Sequence, residues 1–272
     1  MKPKFAYLLL LLALLAFLPL STLAEPASPV VTAKAAVLLD TVTGKIIYAK
    51  NAEFAMAPAS TTKIMTAILA IENFNLRKTV NIPREATGVE GTSMNLATGE
   101  QLTMEDLLYG LMLVSGNDAA IAIANAIAGN EERFARMMTN KARTLGLTNT
   151  NFKNPNGLPA VNHYSTARDL AYLTKYAMRN PTFAQIVRTK MKTVPGPKPN
   201  EPQVLYNHNK LLWRYPYTIG VKTGYTLTAG GCLVSSAKKN GVTLISVVLK
   251  SNAIYDDSIK LFDYGFKLKK VM

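Results

Sequence analysis

Strand signals gather at the two ends of this chain and helix signals fill the middle, an order that restricts the fold more than any single motif does. Residues 35–40 and 45–50 flank Thr41-Val42-Thr43-Gly44, whose glycine suits a positive φ, so the stretch predicts a β-hairpin. After Pro195-Gly196-Pro197 the pattern returns to strands at about 204–207, 217–225, 231–238 and 242–249, the last three linked by glycine-bearing turns. A closing helix covers about 254–266. Between the ends, an apolar helix begins at Ser60 and runs to about Phe74, and 79–101 is irregular, with Pro83, Gly88, Gly91 and Gly99. Thr103-Met104-Glu105-Asp106 is a capping box before an apolar run ending at Val114. Ser115-Gly116-Asn117-Asp118 breaks that run, a small-residue helix follows over 119–128, and another spans 131–145 with Gly146 as its terminator. Asn154-Pro155-Asn156-Gly157 reads as a turn, and Thr166…Asp169 caps a helix through Arg179 that Pro181 ends. Helices packed on an antiparallel sheet fit this order, an α+β fold with a helical insertion at about 78–165.

The chain has 272 residues, enough for one large domain. Two lysines near the start, an uncharged run over 5–24 and the small-residue end Ser21-Thr22-Leu23-Ala24 read as a secretory signal cleaved after Ala24. The alternative is an uncleaved membrane anchor. Either places residues 25–272 outside the cytoplasm. Removing the leader takes two lysines and no acid, leaving 29 basic and 17 acidic residues, a net +12. An exported basic protein meets anionic wall polymers, membrane surfaces or acidic substrates. Export and the lack of any helix-turn-helix, finger or aromatic-basic signature argue against nucleic acid. Cys232 is the single cysteine, so no intrachain disulfide forms, and its apolar neighbours mark it as a buried structural thiol. With two histidines and no His-Glu-x-x-His pattern, no metal site is expected.

Chemistry concentrates in three short motifs. Ser60 opens the apolar helix and Lys63 follows on the same face, one turn away, near the backbone N–H groups of the helix start. That spacing suits a nucleophile beside its own proton acceptor. Ser235…Lys238 and Ser236…Lys239 repeat the spacing on an expected strand, where the two side chains point to opposite faces. Ser115-Gly116-Asn117 sits at the helix break, where a tight connection exposes small polar groups. Lys222-Thr223-Gly224 lies on a strand with Lys222 and Gly224 on one face and Thr223 on the other. Taken alone, Ser115 is a loop serine and Lys222 a solvated edge lysine. Together the motifs supply a nucleophile, a base, a proton relay and a carboxylate anchor, while backbone N–H groups can hold an oxyanion. A Ser-His-Asp alternative lacks a Gly-x-Ser-x-Gly elbow, and neither His163 nor His208 has a serine partner in such a context.

The order Ser60-x-x-Lys63, Ser115-x-Asn117, Lys222-Thr223-Gly224 resembles the signature of penicillin-binding proteins and class A β-lactamases. More narrowly, the chain resembles the D-alanyl-D-alanine carboxypeptidases, the low-molecular-mass penicillin-binding proteins of serine peptidase family S11, over about 33–266. The flanks Ala35-Ala36-Val37-Leu38-Leu39-Asp40, Ser115-Gly116-Asn117-Asp118-Ala119-Ala120, Asn162-His163-Tyr164-Ser165-Thr166-Ala167 and Lys222-Thr223-Gly224-Tyr225-Thr226 share in the likeness. The resemblance implies the penicillin-binding-protein/β-lactamase-like transpeptidase fold and a serine-type carboxypeptidase that takes the terminal D-alanine from peptidoglycan stem pentapeptides, with β-lactams as covalent inhibitors and no cofactor.

It also implies roles. Ser60 resembles the acyl-ester nucleophile, Lys63 its proton acceptor and Ser115 the relay serine. Asn117, Lys222, Thr223, Gly224 and Tyr225 resemble the substrate-binding set, with the Ser60 and Tyr225 N–H groups as oxyanion hole. Lys63 serves as a base only when neutral, and burial, the helix start and the Lys222 cation all push its pKa down. His163 reads as structural, fixing its loop. Two departures are expected: the β-rich C-terminal domain and amphipathic helix of many relatives are read as absent after Phe266, and no Glu-x-x-Leu-Asn segment follows Asn117, so efficient β-lactam hydrolysis is not expected. A β-lactamase or a peptidoglycan endopeptidase of the same fold, or a non-catalytic wall-binding protein, are the rival readings.

Overall fold

The computed structural model describes residues 26–197 and 201–269, so the expected leader lies outside the described residues. The hairpin forms as read: β1 (Ala35–Asp40) and β2 (Ile46–Lys50) turn at Gly44, whose φ is +71°. At the other end β7 (Thr218–Thr226), β8 (Gly230–Lys239) and β9 (Val242–Ser251) make the meander. Pairing of β1 with β9, from Ala35 opposite Leu249 to Asp40 opposite Leu244, joins both ends into one antiparallel sheet of order β2-β1-β9-β8-β7. All six β1 residues are buried, because layers cover both faces of the sheet. Along β9 the period of two sends Ile245, Val247 and Leu249 to one cluster and Leu244 and Val248 to another.

The first cluster is the large core, shared with the helices between the sheet's two halves. A 3-10 turn (Ala59–Thr62) leads into α1 (Lys63–Asn73), buried on every side over its first eight residues, which makes it the central helix. Around it lie α2 (Met104–Leu113), α3 (Asn117–Ala128), α4 (Glu131–Thr144) and α5 (Ala167–Ala177). The Thr103–Asp106 capping box is present on α2, and Gly146, at φ +73°, follows α4. The second, smaller core lies under the last helix, α8 (Ile254–Leu268), where Phe262 and Phe266 stack and pack with Leu38, Leu244 and Tyr215.

Two local expectations are corrected and a third strand finds its partner. The stretch 79–101 is not wholly irregular, since β3 (Thr79–Asn81) pairs with β4 (Gln101–Thr103) in a short ribbon. The helix α5 stops at Ala177, and Pro181 opens a further helix, α6 (Pro181–Arg188), rather than closing one. Asn180 caps α6 through the Thr182 and Phe183 N–H groups, and proline at the first helical position gives up only an N–H that has no partner there. The strand expected at 204–207 is β6 (Gln203–Tyr206), and it pairs with β5 (Met191–Val194) in its own ribbon, apart from the main sheet. A single turn, α7 (Leu211–Arg214), leads into β7.

Candidate active site

Ser60 sits in the 3-10 turn and Lys63 is the first residue of α1. With three residues per turn, the two side chains eclipse more closely than in a regular α-helix. Lys63 Nζ lies 3.0 Å from Ser60 Oγ. The amine is fully buried and also donates to Asn117 Oδ1 at 2.6 Å and to the Asn156 carbonyl at 2.7 Å. Burial, and next the charge of Lys222, hold its pKa well below the ordinary lysine value, against a smaller opposing pull from Asp118. A neutral amine has two N–H bonds and one lone pair. With the two carbonyl oxygens taking those N–H bonds, the lone pair of a neutral Lys63 would face the Ser60 hydroxyl. That arrangement can accept the serine's proton.

Behind the turn, the Asn154–Gly157 cluster folds as a cradle. Asn154 Oδ1 accepts the Gly157 N–H, and the Pro155 carbonyl accepts from Thr66 Oγ1. Gly157, at φ +89°, comes so close to Ala59 that an added Cβ would stand 1.9 Å from the Ala59 carbonyl oxygen. His163 completes the cradle: its Nδ1 accepts the Lys153 N–H, so its Nε2 carries the hydrogen toward Thr62 Oγ1 at 3.0 Å. Burial pushes the His163 pKa down to about 4, which keeps the ring neutral. Its structural reading agrees with this placement.

On β7, Lys222 is not the solvated edge lysine that its motif suggests by itself. It is 1 % exposed, donates to the Thr223 carbonyl at 3.0 Å, and burial lowers its pKa to about 7. Gly224 faces Ser60, since a Cβ there would lie 2.9 Å from the Ser60 backbone nitrogen. The glycine is what lets β7, the edge strand of the sheet, approach the nucleophile's turn. Ser115, at φ +65°, and Asn117 are buried rather than exposed, and both line the cleft. Asn117 Nδ2 donates to the Glu90 carbonyl at 2.6 Å and its N–H to the Thr92 carbonyl at 2.7 Å, so the segment around Gly91 and Thr92 forms a wall over α3. Ser60, Ser115, Asn117, Thr223, Gly224 and Tyr225 thus share one cleft of about 410 Å³, with Lys63 and Lys222 buried beside them.

A model of the peptidase S11 family, D-alanyl-D-alanine carboxypeptidase, matches residues 22–253. The chain belongs to this family. Among curated members of the D-alanyl-D-alanine carboxypeptidase family, DacF of Bacillus subtilis is 38 % identical over 242 residues, 86 % of this chain and 62 % of that protein. DacB2 of Mycobacterium tuberculosis is 37 % identical over 240 residues, 85 % of this chain and 81 % of that one. The chain therefore spans less than two thirds of the Bacillus relative. Among solved structures, the Streptomyces K15 DD-transpeptidase superposes with a TM-score of 0.84 at 34 % identity, covering 89 % of this chain and all of that one. The fold is the penicillin-binding-protein type of this carboxypeptidase family.

Several groups at the family's cleft were not singled out from the residues alone. The Asn156 carbonyl on Lys63 was hidden inside an ordinary turn cluster, and a backbone oxygen leaves no trace in residue type beyond that Asn-Pro-Asn-Gly run. His208, just before α7, and Ile254 and Tyr255, at the start of α8, also line the cleft. Burial and the Lys222 charge lower the His208 pKa, and its N–H donates to the Leu113 carbonyl at 2.9 Å.

Proposed function

We propose that this chain is a serine-type D-Ala-D-Ala carboxypeptidase of the cell envelope, acting through an acyl-enzyme on Ser60. The observation that carries the reading is the fully buried Lys63 amine, 3.0 Å from Ser60 Oγ and held by the Asn117 Oδ1 and Asn156 carbonyl oxygens. Ser60 Oγ attacks the carbonyl of the penultimate residue of the peptide as Lys63 Nζ takes the hydroxyl proton. The resulting oxyanion meets the Ser60 and Tyr225 N–H groups. Ser115 passes a proton to the leaving amine, the C–N bond breaks and D-alanine departs. Water then cleaves the ester and restores Ser60. Lys222 and Thr223 hold the terminal carboxylate, and β7 accepts the peptide as an added strand. The substrate would be the peptidoglycan stem pentapeptide, β-lactams would acylate the same oxygen, and the basic surface would favour an anionic wall or membrane.

The Ser60→Ala variant is expected to lose both labelling by fluorescent penicillin and D-alanine release. Continued release would remove Ser60 from the mechanism. The Streptomyces K15 structure is named a DD-transpeptidase, and the same acyl-enzyme can pass to an amine instead of water. Product analysis with an added amino acceptor separates the two outcomes.

A further inference from the structure

Asp118 follows Asn117 but points the other way, out of the cleft and into the wall above it. Its carboxylate is buried, and it accepts from Ser93 Oγ, from the Met94 N–H at 3.0 Å, from the Leu96 N–H at 3.1 Å and from the Ala119 N–H at 2.8 Å. Only the last of these belongs to its own helix. The other three clamp residues 93–96 to the start of α3. Gly116 allows this, since a Cβ there would come within 2.6 Å of Asp118 Oδ1.

Three residues before the clamped segment stands Glu90, whose carbonyl holds Asn117 Nδ2. An amide has two unlike ends, and its outer end decides how the inner one faces. While Glu90 takes the NH₂, Asn117 must offer its oxygen to Lys63 Nζ. If the wall drifts, the amide can turn over and offer an N–H instead. That N–H would engage the amine's lone pair and withdraw it from Ser60.

Resting on the Ser60–Lys63 reading above, we propose that Asp118 is a positioning residue for acylation: by locking the 90–96 wall onto α3 it fixes the orientation of the Asn117 amide, and through it the direction of the Lys63 lone pair. The charged groups bearing on that amine are Lys222 from β7 and Asp118 from α3, with neutral His163 behind Thr62. Two variants separate geometry from charge. Asp118→Asn weakens the clamp and removes a negative charge that favours the lysine cation. Ser93→Ala loosens one arm of the clamp and leaves the charge in place.

The test measures the second-order rate of acylation by fluorescent penicillin across pH, per folded molecule, alongside thermal melting. Asp118→Asn is expected to slow acylation by about tenfold to a hundredfold, from the loss of buried charge-assisted hydrogen bonds, and to move the acid limb of the profile to lower pH. Ser93→Ala is expected to slow it by roughly threefold to tenfold, with the acid limb unmoved. A lower melting temperature with wild-type acylation and an unmoved limb in Asp118→Asn would make the residue a helix cap only and overturn the proposal. Should Asp118→Asn fail to fold, Ser93→Ala decides: slowed acylation supports the clamp and a wild-type rate overturns it. Wild-type protein that takes no label at all would instead sink the Ser60 reading on which this rests.

Discussion

In the proposed mechanism two buried lysines share the work, and each must hold a different protonation state. Lys63 is useful neutral and Lys222 is useful charged. Burial lowers both pKa values, and the Lys222 charge also lowers that of Lys63. In the free protein the charged form of Lys222 is lost as pH rises through about 7. The kcat/KM for a carboxylate-ended peptide is expected to fall as pH rises through that point, while a peptide ending in an amide lacks this alkaline limb. Identical alkaline limbs on the two peptides would separate Lys222 from the carboxylate. Stability runs the opposite way. Between about pH 7 and the ordinary lysine range the unfolded chain binds a proton at this position that the folded chain does not, so folding gains stability as pH rises. Lys222→Met should accordingly raise the melting temperature at pH 6 by more than it does at pH 10, a difference that paired thermal melts would read. At this scale much was legible: Ser60, Lys63, Ser115, Asn117 and Lys222 stand out by type and order. Their burial was not, because the exposure of a lysine depends on what the rest of the chain lays over it.

Elements with their own local signals came through best. The capping box of α2, the Gly44 turn and the terminator of α4 depend on neighbours within a few residues. Elements whose identity depends on a distant partner were missed. The three-residue strands β3 and β4 have no periodicity to detect and exist only because they pair. Pro181 signals a stop before it and a start after it with equal force, and only the Asn180 cap resolves which applies. The Asn154–Gly157 cradle shows the energetic side of such contacts. Any side chain at Gly157 is strained at its φ and collides with backbone, which cannot swing aside as a flexible side chain would. Gly157→Ala is expected to lower stability by about 2 kcal/mol or more and to slow penicillin acylation by displacing the Ser60 turn. Unchanged melting and labelling would mean that the cradle relaxes without disturbing the nucleophile.

The whole molecule is closed by long-range ties. Asp257 on α8 accepts from the Thr32 and Ala33 N–H groups, from Thr32 Oγ1 and from Ser251 Oγ, binding the entry to β1 to the end of β9. Burial pushes its pKa up, but these hydrogen bonds outweigh it, and the net shift is downward. A carboxylate held below its ordinary value contributes stability that is present at neutral pH and lost as pH falls through the folded-state pKa. Asp257→Asn should therefore lower the melting temperature at pH 7, with the gap to wild type narrowing below about pH 4. A gap of constant size across that range would assign the loss to packing instead. The strands at both ends of the sequence hinted at an antiparallel sheet, yet nothing local said that the two groups share one.

That β1 has β2 on one edge and β9 on the other has a consequence for the order of assembly. Synthesis delivers the β1–β2 hairpin long before β9, so the inner edge of β1 has no native partner until nearly the whole polypeptide has been made. The five-stranded sheet can therefore close only once the last strand is in place.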